Sequence, residues 1–177
     1  MAEKHLDDGK LYRIADIKPF PENYRRHPAR QIGLIRQGLR EFKQYRNLIV
    51  WRHPETGVFH SLVGHAVIEA ALQEGWTEIF AREYVGLSLA EARTLVAYDN
   101  QSALLAEDDQ DDLSQLIAAV HAEDAALAAL AAGGEEELKR MLEMAGDPPE
   151  PWPEYDESVK NDVEMITCPK CGATFPK

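Results

Sequence analysis

The sequence predicts an α+β fold, in which a small mixed β-sheet with helices is followed by a helical C-terminal extension and a short β-knuckle. Three observations predict it. Up to about residue 100, short runs rich in β-branched and aromatic residues alternate with segments whose apolar positions recur every three or four residues. From there to about residue 145 only helical patterns follow. Near the end, Cys168 and Cys171 stand two residues apart between apolar neighbours.

Residues 1–10 read as a frayed start, and Leu11-Tyr12-Arg13-Ile14 as a short strand. Lys18 to Arg26 contains Pro19 and Pro21 and reads as a loop. Pro28 sits where a helix can begin, because its missing N–H is one the first turn leaves unpaired anyway. From Ala29 to Lys43 the positions Ile32, Ile35, Leu39 and Phe42 form one buried stripe, with Arg30, Arg36, Arg40 and Lys43 on the other sides. Asn47 to Trp51 is a buried strand, Pro54 to Gly57 a turn, and Val58 to Val63 a second strand. His65 to Gln73 is a compact helix stopped by Gly75, and Thr77 to Val85 a third strand. Ser88 and Glu91 form a capping box that opens a helix running past Asp99. Three more helical patterns cover Asp111–Val120, Ala125–Ala131 and Glu135–Met144.

The chain has 177 residues, 45% hydrophobic and 28% charged, which suits one folded core and excludes a wholly disordered chain. No apolar run approaches the roughly 18 residues of a membrane span, and MAEKHLDDGK lacks the apolar stretch of a signal peptide. With only two cysteines, set as a pair, a cytoplasmic protein without a disulfide framework is expected. The net charge of −12 is unevenly spread. Arg13 to Arg52 holds ten Lys/Arg against three acids, a net of +7 that leaves −19 for the rest. The basic part suits a nucleotide or the DNA backbone, and the basic helix 29–43 is either a phosphate-facing or a solvated face. The helices after residue 110 are too acidic to enter a DNA groove.

Four motifs in order carry a family resemblance. They are Asn23-Tyr24-Arg25-Arg26-His27-Pro28 before a helix, and Gly64-His65-Ala66-Val67-Ile68-Glu69-Ala70-Ala71 after a strand. Glu74-Gly75-Trp76-Thr77-Glu78-Ile79 leads into the next strand, and Leu87 to Arg93 with Asp99-Asn100 forms the last. The chain thereby resembles the ParB/sulfiredoxin-like superfamily, in particular a stand-alone phage or methyltransferase-associated protein with a ParB N-terminal-like domain. The resemblance implies a ParB-like domain over 11–105, a helical extension over 106–145, an acidic Pro-rich linker over 146–162 and a CxxC knuckle over 163–177.

A glycine where strand meets helix admits close backbone approach, and the free N–H groups of the following turn favour an anion. In the family this turn holds nucleotide phosphates, for CTP-gated clamping on DNA, phosphoryl transfer to free serine or, with a cysteine in the turn, sulfinic acid reduction. No cysteine lies near His65 in the sequence. The resemblance therefore implies a nucleotide site, for CTP or ATP, at Gly64, His65, Arg25, Arg26, His27 and Arg30. Val67 stands where the family carries an arginine. Losing such an arginine–phosphate contact removes roughly 1.5–3 kcal/mol; either Arg25, Arg26 and Arg30, which border the pocket in the family, substitute for it, or the pocket is vestigial and the fold is kept as a binding module. Three residues keep a second reading: His65 as a cap or packing group, His27 as a helix cap, and Asp99 with Asn100 as a polar break in a helix.

Cys168-Pro169-Lys170-Cys171-Gly172 looks like one half of a zinc ribbon. Structural zinc takes four ligands, so Cys168 and Cys171 imply a Zn2+ shared between two chains, and hence a homodimer, or a site completed by distant histidines; otherwise the knuckle is a relic. The functional expectation is an accessory protein of a phage or mobile element in DNA transactions. It binds a nucleotide, DNA backbone or a protein partner and leans away from robust catalysis. The alternatives are a nucleotide-dependent NTPase, small kinase or nuclease on the same fold, and a purely structural interaction module.

Overall fold

The computed structural model describes residues 4–145, 165–167 and 174–176. The chain divides into two compact units, Met1–Gly146 and Asp147–Lys177. In the first, β1 (His5–Leu6), β2 (Lys10–Arg13), β3 (Ile17–Pro19), β4 (Leu48–Arg52), β5 (Phe59–Val63) and β6 (Glu78–Val85) form one mixed sheet. Helix α1 (Ala29–Phe42) precedes β4, α2 (His65–Gln73) joins β5 to β6, and α3 (Leu89–Ser102) follows β6. Helices α4 (Gln110–Glu123), α5 (Ala125–Ala132) and α6 (Glu135–Ala145) form the helical extension. In the second unit, β7 (Met165–Thr167) and β8 (Thr174–Pro176) pair antiparallel with Thr167 opposite Thr174. The predicted fold class is the observed one.

The sheet runs β1-β6-β4-β5-β3, with β2 also on β6. Strand β6 takes β1 and β2 antiparallel and β4 parallel. Strands β4 and β5 pair antiparallel, with Ile49 opposite Val63, and β3 runs parallel to β5. The two-residue period of β4 divides its side chains between two cores. Leu48 and Val50 enter a core with Ile32 and Leu39 of α1, Ala66, Ala70 and Ala71 of α2, and Ile79 and Ala81 of β6. Ile49 and Trp51 enter the other, with Phe20, Leu62, and Ala92 and Val96 of α3. Trp51 buries its ring and donates its Nε1–H to the Leu87 carbonyl at 3.0 Å, so its polar edge is satisfied. A third core around Ile117, Ala128, Leu138 and Met141 joins α4, α5 and α6.

The capping box forms as predicted: the Ser88 Oγ accepts from the Glu91 N–H and the Glu91 carboxylate accepts from the Ser88 N–H. Asp109 and Asp124 cap α4 and α5 through their first-turn amides, so these two acids act at helix ends.

Three expectations need correction. From Lys4 on, the segment read as frayed is held in place. Leu6 pairs with Tyr84, the Asp7 carboxylate accepts from the Gly9 and Glu83 N–H groups, and Lys4 pairs with Glu91. The segment read as a loop from Lys18 begins inside β3, and Pro19 fits there because β3 lies at the end of the strand order, where a missing N–H breaks no inner ladder. Phe42 leaves the buried stripe and is 55% exposed. It is the last residue of α1 and lines a groove with Leu127 and Leu130 of α5.

Candidate functional site

The site is built where β5 ends. Gly64 takes φ +96°, a left-handed conformation that turns the strand into α2. A Cβ placed there would lie 2.8 Å from Leu48 Cγ, so the close approach that glycine permits is to a core side chain. Gly64 also serves as the cap of α2 without a side chain to bond its amides. The His65 and Ala66 N–H groups therefore stay open to an anion, while the Val67 N–H donates to the Gly64 carbonyl at 3.0 Å.

That turn borders a cleft of about 600 Å³. Gly64, His65, Arg25 and His27 all line it, so four of the six predicted residues are brought together. Arg26 lies in an adjoining hollow of about 460 Å³ that shares Arg25, His27 and His65 with the cleft. Arg30 is not in either and donates instead to the Gly133 carbonyl at 3.2 Å, at the end of α5. Val67 does line the cleft while packing against the core under α1 and α2. Asp99 and Asn100 line it as well.

Residues 20–27 are held against the rest of the cleft by side chains. Arg93 of α3 grips Glu22 through two bonds of 2.6 Å, which holds the Glu22 carboxyl below its usual range. The Arg25 guanidinium donates to the Asn100 Oδ1 at 2.9 Å, and the Gln101 amide donates to the Tyr24 hydroxyl at 3.3 Å. The Phe20 N–H donates to His65 Nε2 at 3.3 Å. His65 is half-buried, and that burial, with the nearby His27 ring, pushes its pKa down against the opposing effect of a backbone bond at Ser61. A neutral His65 with its Nε2 lone pair engaged by Phe20 acts first as a positioning group for this wall.

Much of the basic charge lies elsewhere. Arg36 and Arg40 of α1 both bind the Glu74 carboxylate at the end of α2, at 2.6 Å each, and draw its pKa down to about 2. They tie α1 to α2 and so fix the helix that carries the anion-facing turn.

Gln31, Arg46 and Asn47 also line the cleft and escaped the motif reading. A signal for two of them was present. With β4 and β5 paired antiparallel and Ile49 opposite Val63, the residues before β4 must lie beside the Gly64 turn. Among the described residues, no group of three or more His, Cys, Asp or Glu is placed to hold a metal ion. Cys168 and Cys171 lie outside the described residues. Among those same residues, no helix is long and apolar enough to cross a membrane.

No protein-family model matches the chain, and no curated protein matches it. Solved structures do. The chain is similar to the C-terminally truncated chromosome-partitioning protein ParB from Caulobacter crescentus complexed with CTP-gamma-S, with a TM-score of 0.67 at 14% identity over 81% of this chain and 82% of that one. The fold is ParB-like. Two further matches have TM-scores of 0.45. One is a Pnob8-like ParB-N domain, at 17% identity over 99% of this chain and 59% of that chain. The other is the truncated Caulobacter ParB complexed to the centromeric parS site, at 12% identity over 77% and 70%. In this ParB-like frame the cleft lies between the start of α2, residues 23–27, the segment before β4, and the end of α3.

The state of His65 has a measurable consequence. Its ordinary pKa is 6.5 and folding lowers it, so the neutral ring stabilises the fold. That stabilisation is complete above pH 6.5 and is lost as pH falls through the lowered folded value. Urea melts are expected to show a lower midpoint near pH 5.5 than near pH 7.5, with a flatter profile in His65→Asn. The pKa values of Glu74 and Glu91, both drawn from 4.5 down to about 2, place their losses below this window. Equal slopes in the two proteins would contradict the neutral, engaged ring.

Proposed function

We propose that this chain is a ParB-like accessory protein in DNA transactions whose cleft binds a nucleoside triphosphate, CTP or ATP, without robust turnover. The observation that carries this reading is the left-handed turn at Gly64, which opens the first turn of α2 onto a cleft that Arg25 and His27 also line. A structure of the same fold binds a CTP analogue, which supports CTP as the first ligand to test. The single acid of the cleft, Asp99, is placed to meet a base edge, a ribose hydroxyl or a phosphate-bound cation. The His65 Nε2 accepts from the Phe20 N–H, which leaves it a poor general base.

DNA backbone enters as a second ligand, through cations that the fold leaves unpaired. Arg36 and Arg40 are held by Glu74, so α1 offers less free charge than its sequence suggests. The proposed domain division is a ParB-like part over 11–105, an extension over 106–145, a linker over 146–162 and a knuckle over 163–177, with β1 joined to the first part by its pairing with β6.

Calorimetric titration of the full chain with CTP and with ATP, with and without duplex DNA, tests the reading. Binding of a triphosphate, with no sustained phosphate release, is the expected result. No heat in any combination overturns nucleotide binding, and steady phosphate release abolished by Asp99→Asn overturns the non-catalytic part.

The knuckle carries a separate proposal. Strands β7 and β8 bracket residues 168–173 as a hairpin does, which supports Cys168 and Cys171 as one half of a zinc site shared by two chains. One zinc per two chains, and a molar mass that halves on chelation, is expected. A zinc-free chain of unchanged mass would rule the shared site out.

A further inference from the structure

We propose that Arg46 is the phosphate-binding cation of this cleft, standing in for the arginine that Val67 displaces from the α2 turn. The inference rests on the nucleotide reading above and assigns that site its main charge.

The cations around the cleft differ in what they already hold. Arg25 donates to Asn100, His27 is bonded to Gln31, Arg30 has turned to the Gly133 carbonyl, and Arg26, also without a bond, lines the adjoining hollow and not the cleft. Arg46 lines the cleft, and its guanidinium has no hydrogen bond or ion pair with any described residue. An unpaired guanidinium on a cleft wall is ready to take an incoming anion without first breaking a bond.

Its position is also fixed from behind. The Gln44 side chain exchanges two bonds with the Phe80 backbone, donating to the carbonyl at 2.6 Å and accepting from the N–H at 2.8 Å. The same Gln44 amide donates to the Arg46 carbonyl at 3.1 Å. The backbone that carries Arg46 is thus anchored to β6 while its side chain stays free.

Arg46 and Val67 stand on the same wall. Both line the cleft, and both line the apolar groove of about 560 Å³ on its other side. A valine in the first turn of α2 takes less space than an arginine, next to a cleft that Arg46 also lines. The charge lost from one element is supplied by the next, beside the same helix start. Replacing a guanidinium–phosphate contact with a neutral amide lowers affinity roughly ten- to hundredfold.

The test compares CTP titrations of the full chain as wild type, Arg46→Gln, Arg46→Lys and Arg13→Gln. Arg13 is an exposed cation of β2 outside the cleft and removes the same charge. Arg46→Gln is expected to lose roughly ten- to hundredfold in CTP affinity, and Arg46→Lys to fall between, because it keeps the charge and loses the fork. Arg13→Gln is expected to stay within about threefold of wild type. Arg46→Gln within about threefold of wild type overturns the assignment and leaves the nucleotide reading intact. Equal losses in Arg46→Gln and Arg13→Gln reduce the effect to overall charge and overturn it too. A wild type that binds no CTP overturns the nucleotide reading itself and Arg46 with it. Melting each variant alongside separates lost binding from lost fold.

Discussion

The contact between Gly64 and Leu48 is the constraint on which the site depends. Leu48 begins the central strand β4 and is almost wholly buried. Its side chain occupies the space that any Cβ at position 64 would need. The chain therefore leaves β5 through a left-handed glycine and enters α2 close against the sheet. The fully buried side chains of α2 are alanines, Ala66, Ala70 and Ala71, which let the helix lie close, while Val67 and Ile68 pack against the same core half-buried. Close packing in turn places the unpaired amides of α2 at the head of the cleft. A sequence reading assigns the glycine to ligand approach. In the structure it serves packing first, and the anion-facing geometry follows from that.

The other walls are set by polar contacts more than by apolar burial. Glu22 and Arg93, Arg25 and Asn100, Tyr24 and Gln101 join residues 22–25 to α3. His65 reaches the same segment through the Phe20 amide. Each contact links positions more than forty residues apart, so the cleft exists only in the folded chain. Exposed ion pairs of this kind contribute little individually, typically about 0–1 kcal/mol, and their value here is positional.

Local chemistry explains what was legible in the sequence. The α1 stripe, the Ser88–Glu91 box and the β-branched run in β4 are decided by neighbours a few residues away, and they form as read except that Phe42 leaves the stripe. Strand β3 was hidden because Pro19 argues against a strand until its place at the end of the sheet is known. Strand β1 was hidden because its two residues carry little apolar character and owe their order to β6, nearly eighty positions on. Arg30 was misplaced for the same reason. Its partner, the Gly133 carbonyl, lies at the end of α5 and is invisible to any motif around residue 30. Arg46 was within reach of a register argument but outside every motif, since its role depends on which strand end adjoins the α2 turn.

Gly64 is required by its packing as well as by its conformation. Gly75 provides the comparison, since it also has a left-handed φ, +79°, but has nothing within 4 Å of an added Cβ. Unfolding free energies of Gly64→Ala and Gly75→Ala measure the difference directly. Both variants are expected to lose about 1–2 kcal/mol for the left-handed backbone. Gly64→Ala is expected to lose about 1–3 kcal/mol more, for the overlap with Leu48. Equal losses would contradict the account, because the turn would then owe nothing to Leu48 and the cleft would lack the anchor that positions it.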